Sequence, residues 1–171
     1  DVGVSPPTIK SWISVLEASG QLYLLQPYFR NFGKRLVKSP KLYFTDTGLA
    51  TFLLGIHSAE PMMGGPFIGP LMETAIVAAW VKAFRHRGLP PALYFWRSHD
   101  GLELDLLVEW NGRLHPIEVK ASATITPHHA SLLQKWRELA GQAESPGCIM
   151  ANVERAFHLV PGVRVVPWWW V

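Results

Sequence analysis

Residues 115–122 read HPIEVKAS, and this stretch decides how the remainder of the chain is interpreted. Ile117 and Val119 alternate with charged residues, which is the two-residue period of a β-strand. Glu118 and Lys120 therefore project from the same face of that strand. Such a pair is either an ordinary exposed ion pair or one half of a metal-dependent active site, and the choice depends on what the chain places beside it.

A predicted hairpin places a second carboxylate beside this pair. The Asn-Gly sequence at 111–112 is a strong signal for a two-residue type I′ turn. Pairing outward from that turn sets Asp105 across from Glu118, with Cβ atoms about 5 Å apart. Two carboxylates at that separation repel each other unless a cation lies between them, and their hard oxygen ligands suit Mg²⁺, or Mn²⁺ in its place. Lys120 would then orient or deprotonate an attacking water.

The strand that carries Asp105 alternates apolar and acidic residues over 102–109, LELDLLVE. Its first three leucines are predicted to share one face and its first two acids the other: Leu102, Leu104 and Leu106 against Glu103 and Asp105. Glu103 is interpreted either as an additional metal ligand or as a solvated neighbour.

Glu73 is a third acid in an unusual setting. Its helical neighbours Ile76, Val77 and Trp80 are apolar, and a carboxylate on an apolar face normally needs a partner or a function. A helix that precedes three strands packs against their sheet, so Glu73 is expected to reach the same metal.

Length and composition set the class of protein. The chain has 171 residues, 49% of them hydrophobic and 17% charged, so it can bury a substantial core, and its net charge of +3 decides little about partners. The single cysteine, Cys148, excludes an internal disulfide, and a reducing, cytoplasmic location is expected. The most apolar run, residues 71–81, is about half the length of a membrane span, so no membrane association is expected. We interpret the first residue, Asp1, as a sign of a fragment cut from a longer protein.

Residues 1–56 are predicted to form a partial winged-helix module, and the Gly- and Pro-rich residues 57–68 a linker. Ser5 begins a helix that runs to residue 19 with one apolar face. Two strands and a short helix capped by Asp46 follow, at 21–29, 41–46 and 47–55.

Residues 69–171 are predicted to form an α/β domain with the order α-β-β-β-α-β. Its elements are expected at helix 69–87, strands 92–97, 102–109 and 113–120, helix 127–140, and strands 147–152 and 163–169.

Residues 69–120 resemble the PD-(D/E)XK nuclease superfamily, whose restriction-endonuclease-like core has this order of elements. Its motif is an acid on the first helix, an Asp on the second strand and (D/E)-x-K on the third, and Glu73, Asp105 and residues 118–120 match these positions one for one. Leu104 stands where the strict motif has a proline. The resemblance implies a Mg²⁺-dependent nuclease in which the three acids hold the metal and the lysine positions the attacking water.

The chain is also similar to the C-terminal regions of a family of prokaryotic AAA+-like P-loop ATPases. Four segments carry this similarity: VSPPTIKSWISVLEASG (4–20), KRLVKSPKLYFTDTGLA (34–50), FWRSHDGLELDLLVEW (95–110) and PIEVKAS (116–122). In such proteins an ATPase domain precedes a winged helix and a nuclease-like domain, so the missing N-terminal ATPase domain is an expected partner. No GxxxxGK(S/T) motif occurs in the 171 residues, and no ATPase activity is expected of them.

Basic residues around the predicted hairpin tip are candidates for nucleic-acid contact, with DNA the expected partner. The stretch 30–41 holds five basic residues and no acid. The candidates are Lys10 on the first helix and Arg30, Lys34, Arg35, Lys38 and Lys41 in or beside the loop. The same charges would alternatively solvate the hairpin tip or dock against the missing ATPase domain.

These patterns together favour a Mg²⁺-dependent, DNA-binding nuclease portion of an ATPase. The alternative is a catalytically inactive module that binds nucleic acid or protein and regulates that ATPase, because one fold can host different functions. A third interpretation is a structural domain that mediates oligomer assembly.

Overall fold

A computed structural model of the protein describes residues 3–28, 39–98, 101–142 and 145–171. The helices of these ranges are α1 (Pro6–Ala18), α2 (Thr47–Leu53), α3 (Ala59–Gly64), α4 (Ile68–His86) and α5 (Ser131–Leu139), with a 3₁₀ turn (Pro127–Ala130) before α5. The strands are β1 (Leu22–Pro27), β2 (Lys41–Phe44), β3 (Leu93–Arg97), β4 (Glu103–Trp110), β5 (Arg113–Lys120), β6 (Gly147–Ala151), β7 (Phe157–Val160) and β8 (Val163–Pro167). Within the described ranges, no helix combines the length and the apolar character needed to cross a bilayer.

The eight strands form one mixed sheet in the order β2-β1-β3-β4-β5-β6-β8-β7. Strands β3, β4 and β5 form an antiparallel meander, and β6 and β8 continue it in parallel with β5. The chain is therefore an α/β protein, and the predicted order α-β-β-β-α-β is confirmed from α4 to β6.

The sheet also contains strands from two of the predicted segments, 1–56 and 69–171. Strand β1 pairs with β2 in an antiparallel hairpin and runs parallel to β3, through Gln26 opposite Tyr94 and Pro27 opposite Phe95. The first part of the chain thus extends the sheet of the α/β part. The three-segment division itself, at 1–56, 57–68 and 69–171, stays a prediction.

Two apolar clusters hold the sheet between its helices. Neighbouring residues of one strand, such as Leu107 and Val108, fall into different clusters, which places the clusters on opposite faces of the sheet. On the α4 face the buried side chains are Ile76, Val77, Val81 and Phe84 with Phe95, Leu106, Val108, Ile117, Val119 and Met150. On the α5 face they are Leu133 and Trp136 with Trp96, Leu104, Leu107, Leu114, Ile149, Val163 and Val165.

Local signals in the sequence explain the first elements well. The Ser5 side chain accepts a hydrogen bond from the Thr8 N–H at the start of α1, and Asp46 caps α2 through the Leu49 N–H at 3.0 Å. The predicted caps are confirmed, as is the helix followed by an antiparallel hairpin.

Two short elements were not predicted. Helix α3 lies inside the segment 57–68, which the Gly and Pro content marks as a linker; its first turn carries Glu60, whose charge suits a helix N-terminus. Strand β7 pairs with β8 across Pro161-Gly162, where Gly162 has φ 75°. Pro followed by Gly favours a tight turn, and this pair stands between the two strands.

The prediction that Leu104 and Leu106 share one face of the sheet is wrong. Leu104 packs in the α5-face cluster and Leu106 in the α4-face cluster, so the two do not share a face. The cause is a β-bulge: Tyr94 lies opposite Leu107 but Trp96 lies opposite Leu104, so β4 has one residue more than β3 between these pairs. The extra residue lies at Asp105-Leu106, next to the candidate site.

Candidate functional site

The hairpin that carries the motif has the predicted register. Trp110 lies opposite Arg113 and the ladder continues to Leu106 opposite Ile117. Asn111 and Gly112 both have positive φ, 52° and 71°, as a type I′ turn requires. The predicted register is confirmed for these pairs. Asp105 and Glu118 lie one residue beyond the last pair, and the charge of Glu118 acts on Asp105.

At Asp105 the hydrogen bonding between β4 and β5 changes from main-chain acceptors to a side-chain acceptor. The Oδ2 atom of Asp105 accepts a hydrogen bond from the main-chain N–H of Val119 at 2.8 Å. A side chain thus replaces a main-chain acceptor between the two strands, at the bulge described above. The hydrogen bond fixes one oxygen of the carboxylate against β5.

Glu118 is buried, with 5% of its surface exposed. Its Oε1 accepts a hydrogen bond from the Lys120 ammonium at 2.6 Å, so the two charged residues of the motif form an ion pair. Its Oε2 is buried and has no hydrogen-bond donor in the described part of the chain. A buried carboxylate oxygen without a donor is costly, because the desolvated charge is left uncompensated.

Both carboxyl groups of the pair bind a proton more tightly than a free side chain does. Burial, followed by the charges of Glu118 and Glu73, raises the pKa of Asp105 to about 7, although the Val119 N–H opposes this. Burial also raises the pKa of Glu118, and the Lys120 hydrogen bond offsets only part of the rise. The pair therefore holds a proton more tightly than isolated carboxylates do, and a cation in its place would relieve the same repulsion.

Glu73 is held by two residues of strand β2. Its Oε1 accepts hydrogen bonds from the Tyr43 hydroxyl and from the Lys41 ammonium, the latter at 3.1 Å. Burial and the charge of Glu73 raise the pKa of the Tyr43 phenol, which keeps it protonated and able to donate. Glu73 therefore has hydrogen-bonding partners despite its apolar helical neighbours, and both partners come from β2 in the first part of the chain.

Lys41 bridges two acids. Its ammonium forms an ion pair with Glu103 as well as with Glu73, and it lies 5.4 Å from the centre of the Phe95 ring. Burial alone lowers the pKa of Lys41, but the hydrogen bonds and charges of Glu103 and Glu73 outweigh it and raise the pKa. Glu103 also pairs with the Arg97 side chain at 3.3 Å. Glu103 is therefore neither a simple solvated neighbour nor a carboxylate free to bind a metal. It is an ion-paired member of the cluster.

The four predicted site residues are thus brought together around the end of the β4–β5 ladder. Asp105, Glu118 and Lys120 lie on the two paired strands, and the charge of Glu73 acts on both acids. Sequence reasoning missed Lys41 and Tyr43 as members of this cluster. The alternation of the two in the strand KLYF indicated a shared face, but nothing local named Glu73 as their partner.

The donor chemistry of the cluster fits a divalent metal in part. Half-buried Asp105 and buried Glu118 both have raised pKa values, and the unpaired oxygen of Glu118 adds to a donor set that suits Mg²⁺ or Mn²⁺, which prefer hard oxygen ligands. Within the described ranges, however, no three His, Cys, Asp or Glu side chains converge closely enough to hold a metal ion. A metal at Oε1 of Glu73 would compete with Lys41 and Tyr43, which both donate to that oxygen.

The predicted nucleic-acid contacts fall in three places. Lys10 is exposed on α1, Lys41 lies in the acidic cluster, and the four residues Arg30, Lys34, Arg35 and Lys38 lie outside the described residues. The role of each in nucleic-acid binding stays a prediction.

Comparison with known proteins gives family relationships without a named activity. Residues 1–60 match the family described as "Domain of unknown function (DUF8612)". Two proteins described as uncharacterized, one from Mycobacterium bovis and one from Mycobacterium tuberculosis, are each 34% identical over 121 residues. The match covers 71% of this chain but only 26% of each relative, so the chain spans about a quarter of their length. No solved structure matches the chain. Residues 68–171 match "Domain of unknown function (DUF4143)", and the chain belongs to this DUF4143 family.

Proposed function

We propose that this protein is a metal-dependent phosphodiesterase that cleaves nucleic acid, built on a PD-(D/E)XK-like core. The observation that carries the proposal is the pair Asp105 and Glu118: two carboxyl groups from adjacent strands with raised pKa values, of which Asp105 is half-buried and Glu118 is buried with one oxygen unpaired in the described part of the chain. Strongly perturbed carboxylates of this kind are typical of functional sites.

Asp105, Glu118 and Glu73 would hold Mg²⁺ or Mn²⁺. When bound, such a metal polarises the phosphodiester, activates a water and offsets charge on the pentavalent phosphate. The hydrogen bond from Val119 to Asp105 holds one ligand in place before any metal arrives. The position of Asp105 is therefore set by the main chain, which favours a preorganised site.

Lys120 is the proposed catalytic lysine. Its ammonium is held by Glu118 at 2.6 Å, and its side chain is a third exposed, so a water beside it can reach the motif from solvent. In this position the lysine donates a hydrogen bond that orients the attacking water or stabilises the developing negative charge.

The chain is proposed to be the C-terminal portion of a longer prokaryotic AAA+-like ATPase. Helix α1 and the β1–β2 hairpin would form a truncated winged helix that grips DNA without sequence preference. The relatives' greater length leaves room for an ATPase domain, and the DUF8612 match over residues 1–60 gives the first part of the chain an identity separate from the α/β part.

A nicking assay tests the proposal. Supercoiled plasmid and labelled single-stranded DNA are incubated with the protein and Mg²⁺ or Mn²⁺, beside Asp105→Asn and Lys120→Met. Cleavage that needs the metal and falls by at least about 100-fold in both variants is expected, in line with the loss of a metal ligand or a catalytic acid–base group.

The matched control is Glu154→Gln, since Glu154 is exposed and takes no part in the ion pairs of the cluster. Its cleavage rate should equal that of the unaltered protein. Cleavage that survives both Asp105→Asn and Lys120→Met would indicate a contaminating nuclease, and no cleavage with either metal on either substrate would refute the proposal.

A catalytically silent module that regulates an ATPase by binding nucleic acid or protein is the second candidate. The ion pairs of Lys41 favour it, because an ammonium already neutralises Glu73 and Glu103 where a nuclease would use a metal. In that case DNA binding would be unchanged by Asp105→Asn, and neither metal would bind the protein.

A further inference from the structure

A cavity of about 460 Å³ opens at one end of the parallel strands. Its residues Ala121, Asn152 and Trp168 each follow directly on the last residue of a strand, β5, β6 and β8 in turn. Because these strands are parallel, their carboxyl ends meet at one edge of the sheet. In α/β sheets this edge is where ligands commonly bind.

Two residues that line the cavity are next in sequence to residues of the candidate metal site. Met72 lines it and immediately precedes Glu73 on α4; Ala121 lines it and immediately follows Lys120. A substrate phosphate held at the acidic cluster would therefore have the cavity within reach of its neighbouring nucleoside.

The lining combines an aromatic ring, apolar side chains and a polar amide. Trp168 is 36% exposed, and its main-chain N–H donates to the Ala151 carbonyl at 3.0 Å, which fixes the residue to the sheet. Leu71 and Met72 form an apolar wall. The exposed Asn152 carboxamide makes no hydrogen bond within the described part of the chain, so its donors and acceptor are available.

This combination matches the chemistry of a nucleobase. A base has a flat apolar face that stacks on an indole and a polar edge that pairs with an amide. We propose that the cavity binds one unpaired nucleobase of a single-stranded nucleic acid, with Trp168 stacking on the base and Asn152 hydrogen-bonding its edge. The assignment rests on the proposed function, since it takes the acidic cluster as the binding site of the adjoining phosphate.

The substrate class follows from how a base would enter the cavity. A base can enter a cavity only when it is unstacked and unpaired, which costs energy in a duplex and little in a single strand. Single-stranded segments, frayed ends and flaps are therefore the substrates this protein selects over intact duplex.

Binding without metal tests this inference. Fluorescence anisotropy with a short labelled oligothymidylate, in EDTA, is compared with the same strand annealed to oligodeoxyadenylate. The single strand should bind more tightly than the duplex, and Trp168→Ala should weaken single-strand binding roughly tenfold, within the range found for removing one base–aromatic stack. Trp168→Phe keeps an aromatic face and should retain most of the affinity.

Two further variants test whether any loss of affinity is specific to the cavity. Trp170→Ala removes an indole that is more exposed than Trp168, at 55%, and that does not line the cavity, and it should leave the affinity unchanged. Ala75→Phe fills the cavity from α4 while Trp168 stays in place, and should weaken single-strand binding in a protein whose circular dichroism is normal. Equal effects of the two indole substitutions, or no effect of either cavity variant, would overturn the inference.

The outcome is separable from that of the nuclease assay. Trp168-dependent binding in EDTA, found in a protein that never cleaves, would keep the base site and reject the nuclease. Metal-dependent cleavage with affinity and rate unaltered by Trp168→Ala would do the reverse. Competition by thymidine monophosphate at concentrations equal to those of the oligonucleotide would overturn the nucleic-acid assignment in favour of a free nucleotide.

Discussion

The main-chain N–H of Val119 donates a hydrogen bond to Oδ2 of Asp105 at 2.8 Å, so a carboxylate stands where a main-chain carbonyl would continue the ladder. The hydrogen bond favours the charged form of Asp105. Burial and the charges of Glu118 and Glu73 favour the neutral form more strongly, so the pKa of Asp105 is raised. The position of this carboxyl group is thus fixed by the fold, while its charge is left sensitive to pH and to cations.

The stability of the metal-free protein should fall as the pH rises towards neutrality. The pKa of Asp105 is about 7 in the folded protein against 3.8 for a free side chain, so the folded state binds the extra proton between these values. Stability from this group is complete below about pH 4 and is lost as the pH rises to about 7, by an amount on the order of a few kcal/mol, since one pKa unit is worth about 1.4 kcal/mol.

Urea denaturation in EDTA at several pH values measures this loss. Asp105→Asn cannot ionise, so its stability should change less over the same range, and the two curves should converge at acidic pH. Curves that stay parallel from mildly acidic to neutral pH would contradict the assignment of the raised pKa to Asp105.

Lys41→Gln should destabilise the metal-free protein by about 1–2 kcal/mol, between the values for exposed and for buried ion pairs. The substitution leaves Glu73 and Glu103 without their shared cation. If a metal can take over the role of Lys41, Mn²⁺ should restore more stability to this variant than to the unaltered protein, which thermal denaturation with and without Mn²⁺ would show.

Lys10→Gln is the matched control for that experiment. Lys10 is exposed on α1, so its loss should change the melting temperature little, with or without metal. An unaltered melting temperature for Lys41→Gln in EDTA would mean that the bridge contributes nothing to stability.

Metal affinity should depend on the two facing carboxylates. Titration of Mn²⁺ followed by calorimetry or paramagnetic relaxation should show one site that weakens at least about tenfold in Asp105→Asn and in Glu118→Gln, because each change removes a charged oxygen ligand. Glu154→Gln, which alters an exposed acid, should bind Mn²⁺ as the unaltered protein does. Equal affinities in all four proteins would place the metal elsewhere or nowhere.

The hairpin turn should be sensitive to a β-branched residue. Gly112 has φ 71°, and valine in that left-handed region costs about 1–2 kcal/mol even though no atom obstructs a side chain there. Asn111→Gly, at φ 52°, should be close to neutral. Chemical denaturation measures both, and a neutral Gly112→Val would show that the turn does not hold the register.

The hairpin could be predicted because its determinants are local. Two turn residues with positive φ set the register, and the position of Asp105 relative to Glu118 follows by counting along two strands. The bulge at Asp105-Leu106 has no comparable local signal, because it arises where β4 must match β3 as well as β5. The predicted face of Leu106 failed for that reason.

The partners of Glu73 could not be predicted because they are remote in sequence. Lys41 and Tyr43 reach it only because β1 carries the hairpin to the edge of β3 and β2 then lies against α4. The basic composition around Lys41 favoured a solvent-facing role, whereas the fold uses its charge between two acids. Such long-range pairings depend on strand order, which a single sequence leaves undetermined.

The parallel pairing of β1 with β3 has a practical consequence for work on the family. A fragment that begins at residue 68, where the DUF4143 match starts, would lack β1 and β2 and would expose the main-chain donors and acceptors of β3 to solvent. An uncovered edge of this kind recruits strands from other molecules, so the fragment should self-associate during purification. Glu73 of the fragment would also lack both of its hydrogen-bond donors, Lys41 and Tyr43. Biochemical results from such a fragment would therefore describe an acidic cluster with altered contacts and not the native one.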